Sequence, residues 1–440
     1  MLKKRFSKIF HTLVSLFGMA LLAGASSRFP KPQFDSEYTA PVVNNPLPDF
    51  AVSPSMDVLL LAFALGLAVW LTRRVRQRRW ILFFGLIFLL WFGFIRNGCF
   101  CPVGTVQNVA YALAHGGGIP LAVALFFALP LLCALLFGRV FCSVVCPLGM
   151  LQEFFIVKPL RVPRALDALL RIVPLIVLSL GVVCVINGAG YIICRTDPFV
   201  GIFRQSSALP MLLTGAGVLL LGTVIARPYC RYFCPYGVLL EFCSLVSWKP
   251  VQITRNECIN CRLCVGVCPV DAIEAPRPAP SDIQRGRQFR QFVYLLILLP
   301  FLVAAGAGAG YLAGAGVAKL HPVVTMVDNW RITPEESHDL YPDIEVFKRN
   351  GYNLQAAEAQ AMSIVERFCK GSMWSGVFIA AVLGLRALAL SRLQGLKYHQ
   401  ASRTRCVACG RCYAVCPASV KFTGVLRKQT DITDAGGVAD

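Results

Sequence analysis

Histidine and charge are both scarce in this chain. The five histidines, His11, His115, His321, His338 and His399, are scattered, no two face each other on neighbouring apolar stretches, and no C-x-x-C-H occurs. Haem, held by paired imidazoles or attached covalently, is therefore not expected. Asp, Glu, Lys and Arg together make up 15% of the 440 residues, while 56% are hydrophobic and 30 are Phe. An ordinary soluble domain carries about 25% charge, so that class is excluded. No acid, base or nucleophile constellation is legible anywhere. The glycine run GAGAGYLAGAG, residues 306–316, lies inside an apolar stretch with no strand before it. Its Gly306, Gly310 and Gly314 read as a close helix-packing face and not as a nucleotide fingerprint.

What is present is apolar length. Runs able to cross a bilayer fall near residues 57–72, 80–96, 119–137, 171–188, 208–226, 291–316 and 373–390. The start, with Lys3, Lys4, Arg5 and Lys8 before a short apolar stretch, reads as a signal peptide or an anchor over residues 1–27. Of the 43 basic residues, 32 fall in one alternating set of connecting segments, which also carries both copies of a C-x-x-x-C-P motif. Cationic loops resist translocation, so this set is expected on the cytoplasmic side of a bacterial inner membrane. The formal charge of +20 is then a topology signal, with no groove for nucleic acid. The expected order is an outer segment (28–56), a membrane core (57–250), a first cysteine run (251–290) and a span (291–316). An outer insertion (317–372), a span (373–391) and a second cysteine run with its tail (392–440) complete it.

The nineteen cysteines sort by spacing. Cys258, Cys261, Cys264 and Cys268 read C-x-x-C-x-x-C-x-x-x-C-P, and Cys406, Cys409, Cys412 and Cys416 repeat it. That run wraps a 4Fe-4S cluster, three thiolates from one loop and the fourth sent to another cluster. One cluster is expected on Cys258, Cys261, Cys264 and Cys416, the other on Cys406, Cys409, Cys412 and Cys268. Both runs must then lie on one side of the membrane, and the two intervening spans allow it. Zinc, which usually takes paired ligands from two separated knuckles, competes poorly.

Taken together, C-x-x-x-C-P twice after membrane spans and the ferredoxin-type runs resemble the NapH/NosR-type membrane polyferredoxins. The likeness covers roughly residues 57–275 and the last forty. It implies electron transfer between the quinone pool or cytoplasmic donors and an extracytoplasmic reductase or flavoprotein. The second ferredoxin run is displaced here behind the outer insertion, and no FMN-attachment domain is recognisable.

FCSVVCPLGMLQEFF (141–155) and YCRYFCPYGVLLEFC (229–243) are copies of one another, so an internal two-fold repeat is expected. It would bring Cys142, Cys146, Cys230 and Cys234 together as a third iron-sulfur site, with a redox dithiol or a structural role as alternatives. On the outer side Cys99, Cys101 and Cys194 hold matching places, with Cys369 nearby, and could form a further metal or cluster site in place of disulfides. Cys133, Cys184 and Cys243 read as packing residues.

The outer insertion shows a helical period at Leu354, Ala357, Ala361, Ile364 and Val365, after an acidic patch of Glu335, Glu336, Asp339, Asp343 and Glu345. It reads as a solvated cap or a docking platform. The expected fold is an all-α membrane bundle of seven or eight spans with a cytoplasmic two-cluster lobe from residues 251–285 and 400–425. The expected function is electron transfer through 4Fe-4S clusters to or from an extracytoplasmic partner. A quinol dehydrogenase subunit and an iron-sulfur maturation factor are the alternatives. Inner and outer sites would face each other across roughly 30 Å of hydrocarbon, so crossing calls for a relay, with Cys99, Cys101 and Cys194 deeper than a loop would place them.

Overall fold

The computed structural model describes residues 54–96, 102–157, 159–204, 209–253, 258–278, 280–332, 354–391 and 395–417. The N-terminal segment to residue 53, Cys99, Cys101 and the acidic patch at 335–345 lie outside them.

The chain is mostly helical. In order come α1 (Pro54–Trp70), α2 (Arg78–Phe88), α3 (Pro102–His115), α4 (Leu121–Phe137), α5 (Phe141–Val144), α6 (Pro147–Phe154), α7 (Arg164–Leu170) and α8 (Val173–Ile186). Then follow α9 (Ile192–Thr196), α10 (Pro198–Arg204), α11 (Leu209–Gly222), α12 (Pro228–Tyr232), α13 (Pro235–Leu245) and α14 (Leu263–Val267). Strand β1 (Ile273–Glu274), α15 (Asp282–Ala318), α16 (Pro322–Ile332), α17 (Leu354–Ser391), β2 (Gln400–Ala401) and α18 (Arg411–Val415) complete it. The first two helices each continue into π-helix, Leu71–Val75 and Leu89–Ile95.

Among the described residues, 55–75, 78–95, 165–186, 282–318 and 354–391 form helices long and apolar enough to cross a membrane. A sixth crossing results if α10 and α11 together make one. The expected span at 119–137 is α4, 17 residues long, which at 1.5 Å per residue reaches about 26 Å. The expected span at 208–226 is shorter still, the 14 residues of α11.

Helices α15 and α17 form a long hairpin zipped by small residues. A Cβ on Gly306 would lie 2.6 Å from the Ala380 Cβ and 2.7 Å from the Gly376 oxygen, while Gly310 and Gly314 abut Ser372 and Cys369. Between apolar helices in lipid, close backbone approach replaces hydrophobic expulsion as the attraction. The helical period read at 354–368 and the last span are one continuous helix. Its Ala357, Ala361, Ile364 and Phe368 pack with Val324, Val327 and Trp330 of α16 over Cys184 and Ala189 at the far end of α8. Cys184 and Cys133 are buried in apolar clusters, as packing cysteines should be. The main core gathers α1 to α6, α8, α10 and the C-x-x-x-C-P segments, so Cys142 and Cys146 are part of it.

Candidate iron-sulfur centres

The two ferredoxin-type runs fold alike. Asn260 and Arg262 in CINCRLC have φ of 55° and 63°, and Ala408 and Gly410 at the same places in CVACGRC have 54° and 75°. Paired left-handed residues give both loops the same tight curl. Each loop enters a five-residue helix, α14 or α18, and the cysteine that follows, Cys268 or Cys416, is extended with ψ of 110° or 115°. Proline follows each of them, which enforces the extended conformation on the residue before it and stops the helix. Strands β1 and β2 pair antiparallel, Ile273 opposite Ala401 and Glu274 opposite Gln400. The reciprocal bonds of Arg277 and Leu396, at 2.8 and 2.9 Å, extend the ladder. This ladder clamps together segments more than a hundred residues apart.

One cavity is lined by Cys268, Cys406, Cys409 and Cys412 together, against apolar walls that include Val251, Val270 and Tyr413. Backbone N–H groups already point at sulfur there: Ala272 N donates to Cys268 Sγ at 3.2 Å and Ala408 N to Cys406 Sγ at 3.5 Å. Burial pushes the Cys406 thiol up to about 12, so a bound cation is needed to hold it as the thiolate at neutral pH. Cys264 has Cys258, Cys416 and Cys261 as its electrostatic neighbours. Cys412 faces Cys406, Cys409, Cys268 and also Cys264, which places the two sets side by side. No three His, Cys, Asp or Glu side chains among the described residues close on a single metal ion. A cubane asks for something wider, one thiolate on each of four irons, and four thiols around an apolar cavity fit that chemistry.

The two C-x-x-x-C-P segments also fold alike. Cys146 and Cys234 stand at the N-caps of α6 and α13 in the same extended conformation, φ/ψ of −70°/117° and −66°/111°, each with proline opening the helix. Cys146 has Cys230, Cys142 and Cys234 among its charged neighbours. Gln152 bridges the segments: its Nε2 donates to Cys230 Sγ at 3.2 Å and its Oε1 accepts from Tyr229 N at 3.1 Å.

Residues that the spacing arguments passed over hold this region together. Arg227, 2% exposed, donates through Nη1 to the Cys142 oxygen at 2.7 Å and through Nε to Glu153 at 3.1 Å. Glu153 also receives Arg411 of the second ferredoxin run at 2.9 Å and Arg78 at 3.1 Å. Burial alone would raise its pKa, but the three guanidiniums outweigh that and hold it below the usual carboxylate range. Arg139 donates to the Thr404 oxygen at 3.0 Å, and Arg161 to the Val265 oxygen at 3.1 Å, docking both runs on the helical bundle. A signal was available: an arginine stands three residues before the first cysteine in both copies, GRVFC and ARPYC.

Of the outer trio, Cys194 is described. Its Sγ lies 3.5 Å from Gln107 Oε1 and 3.3 Å from where a Cβ on Gly104 would stand. The chain after it does not remain in an outer loop. Asp197, 3% exposed, accepts from the Tyr229 hydroxyl at 2.8 Å, and Phe199 packs edge-on against the same ring at 4.9 Å. Tyr229 immediately precedes Cys230, so the segment after Cys194 packs against the second C-x-x-x-C-P segment. Cys369 is buried against Gly314 in the α15–α17 seam, and Cys243 is half-buried.

Among known families, a 4Fe-4S binding domain matches twice, over residues 119–163 and 207–250, and another 4Fe-4S binding domain matches residues 251–274. An uncharacterized protein of Methanocaldococcus jannaschii is 28% identical over 42% of this chain and 79% of its own length. YccM of Escherichia coli strain K12, whose name refers to electron transport, is 29% identical over 38% of this chain and 52% of its own. NirI of Paracoccus denitrificans is 30% identical over 52% of this chain and 36% of its own. The alignments thus span about half of YccM and about a third of NirI. No solved structure matches the chain.

Proposed function

We propose that this chain, which carries 4Fe-4S binding domains and resembles YccM and NirI, is a membrane polyferredoxin that carries electrons along one face of the membrane through three clusters. The ligand sets are Cys258, Cys261, Cys264 and Cys416; Cys406, Cys409, Cys412 and Cys268; and Cys142, Cys146, Cys230 and Cys234. The observation that carries the reading is the single cavity walled by Cys268, Cys406, Cys409 and Cys412, four thiols from two distant runs. The double match of one 4Fe-4S binding domain, once over each C-x-x-x-C-P segment, supports an internal repeat and the third set.

When bound, such clusters take up and pass on single electrons at potentials set by net charge, hydrogen bonds to sulfur and exposure. The chain's own residues order the path. Cys261 is exposed and marks the end open to a soluble partner, while Cys142 and Cys146 are buried in the bundle. Cys412 adjoins the first and second sets. Arg227 faces Cys230, Cys409 and Cys142, and so lies between the second set and the third. Basic-residue asymmetry supports a lobe on the cytoplasmic side of a bacterial inner membrane. The far end then serves an extracytoplasmic redox partner, a reductase or flavoprotein, with the quinone pool as the other source. A further site on Cys99, Cys101 and Cys194 would relay the crossing. The Asp197–Tyr229 bond supports it, because it ties the residue three after Cys194 to the residue next to Cys230.

Iron and acid-labile sulfide on the purified protein test the reading. About twelve irons per chain are expected for three 4Fe-4S clusters, with a loss of about four in Cys142→Ala and in Cys234→Ala. About eight irons, unchanged by either substitution, would remove the third site and leave the protein a two-cluster ferredoxin on a membrane anchor.

A further inference from the structure

The two arginines before the C-x-x-x-C-P motifs each belong to one copy and serve the other. Arg227, from the second copy, reaches into the first: its Nη1 bonds the Cys142 oxygen and lies 3.4 Å from a Cβ built on Gly149. Arg139, from the first copy, reaches into the second: its Nη2 lies 3.4 Å from a Cβ built on Gly237, a point itself 3.5 Å from the Cys230 oxygen. The glycine in each C-P-x-G is the opening through which the other copy's guanidinium arrives. Both arginines are buried, at 8% and 2% exposure. The Nε of Arg139 has no hydrogen-bond partner among the described residues, which carries a desolvation cost.

The charge around this exchange is lopsided. A cavity on the cysteine-bearing end is lined by Arg139, Arg171, Arg227, Arg231, Arg386 and Arg405 together with Cys230 and Cys234, and Glu241 is the one carboxylate on its wall. Asp167 receives Arg171 and Arg231, and Glu241 receives Arg386. Arg139 has a carbonyl where these have a carboxylate. Arg227 is paired with Glu153, so Arg139 is the buried cation that calls for a buried anion, and the thiols of Cys142, Cys146, Cys230 and Cys234 would supply it once ionised on a metal.

We propose that Arg139 and Arg227 are a cross-braced pair of positioning residues that hold the four-cysteine site closed and raise its reduction potential by offsetting the charge of its reduced state. The inference rests on the third cluster proposed above. It favours the site on Cys142, Cys146, Cys230 and Cys234 over the cluster on Cys258, Cys261, Cys264 and Cys416, while the second set, which Arg227 faces through Cys409, shares part of the effect.

The test is a redox titration followed by EPR on the wild-type protein and on Arg139→Gln, Arg139→Lys, Arg227→Gln and Arg227→Lys, with iron counted in each. In the Gln variants the third cluster's reduced-to-oxidised ratio at the wild-type midpoint is expected to fall about tenfold, equivalent to about 59 mV for one electron. The Lys variants, which keep the charge and lose the fork, should stay near wild type, and the cluster on Cys258 should not move in any of them. About twelve irons with an unmoved third midpoint in Arg139→Gln would overturn the inference while leaving the cluster standing. Equal shifts in Lys and Gln variants would overturn it too, by showing a purely steric role. Fewer than about twelve irons in the wild type would instead strike the underlying reading. Arg227→Gln removes one of three guanidiniums from Glu153 as well as the Cys142 contact and can fail to fold; Arg139 has no bonded carboxylate, so its variants carry the test alone if needed.

Discussion

Gly149 and Gly237 occupy the same place in the two C-P-x-G segments, and the structure expects them to respond differently to alanine. Both sit in the first turn of a helix, α6 and α13, with ordinary helical backbone, so alanine itself is favourable there by up to about 1 kcal/mol. At Gly237 the added methyl would find Arg139 Nη2 at 3.4 Å, the Cys230 oxygen at 3.5 Å and the Cys234 Cβ at 3.6 Å, all ordinary contacts. At Gly149 it would land on the Cys142 carbonyl oxygen. That oxygen cannot retreat without breaking its 2.7 Å bond from Arg227. Overpacking of this kind costs about 1–3 kcal/mol, which exceeds the helical gain. Gly237→Ala should therefore be neutral or slightly stabilising, and Gly149→Ala should lose stability and iron. Fluorescence-detected size exclusion of the heated, detergent-solubilised protein gives the midpoint temperatures, with iron content measured alongside. Equal losses in both variants would refute the reasoning, since they would show the two segments to be interchangeable where the structure makes them differ.

Glu153→Gln should destabilise by about 3–5 kcal/mol, because it leaves the buried Arg227 uncompensated, and should speed tryptic release of the 395–417 segment; an unchanged digestion rate would argue against Glu153 as the hub. Since Glu153 titrates below its ordinary value near 4.3, its contribution is fully present above that pH and lost as pH falls through the folded value. The wild-type advantage over Glu153→Gln should then be flat from about pH 5 upward, and a loss near pH 6 would contradict it. Gly376→Leu should splay the α15–α17 hairpin and lower the midpoint temperature, because a side chain there meets the Gly306 backbone; a midpoint equal to wild type would mean that the seam is loose. Arg262→Gly, which installs the residue already present at the matching Gly410, should be neutral or stabilising by about 1 kcal/mol, as it relieves a left-handed arginine; a loss of iron there would show that the Arg262 side chain itself matters to the loop.

Cysteine spacing made both ferredoxin-type runs legible and led to the proposal that Cys268 joins Cys406, Cys409 and Cys412, with which it lines one cavity, because three ligands on one tight loop leave the fourth free for another cluster. Apolar run length located the long helices, since a membrane imposes a fixed thickness, and small residues every fourth position marked the α15–α17 seam. Contacts that depend on how separate segments meet were not legible. That Arg139 and Arg227 trade places between two copies, that Glu153 gathers three arginines from three parts of the chain, and that the segment after Cys194 packs against Tyr229 are decided by packing in the bundle. A buried charge has no period and no spacing in the sequence, and what fixes it is the opposite charge or carbonyl that the tertiary fold brings within about 3 Å.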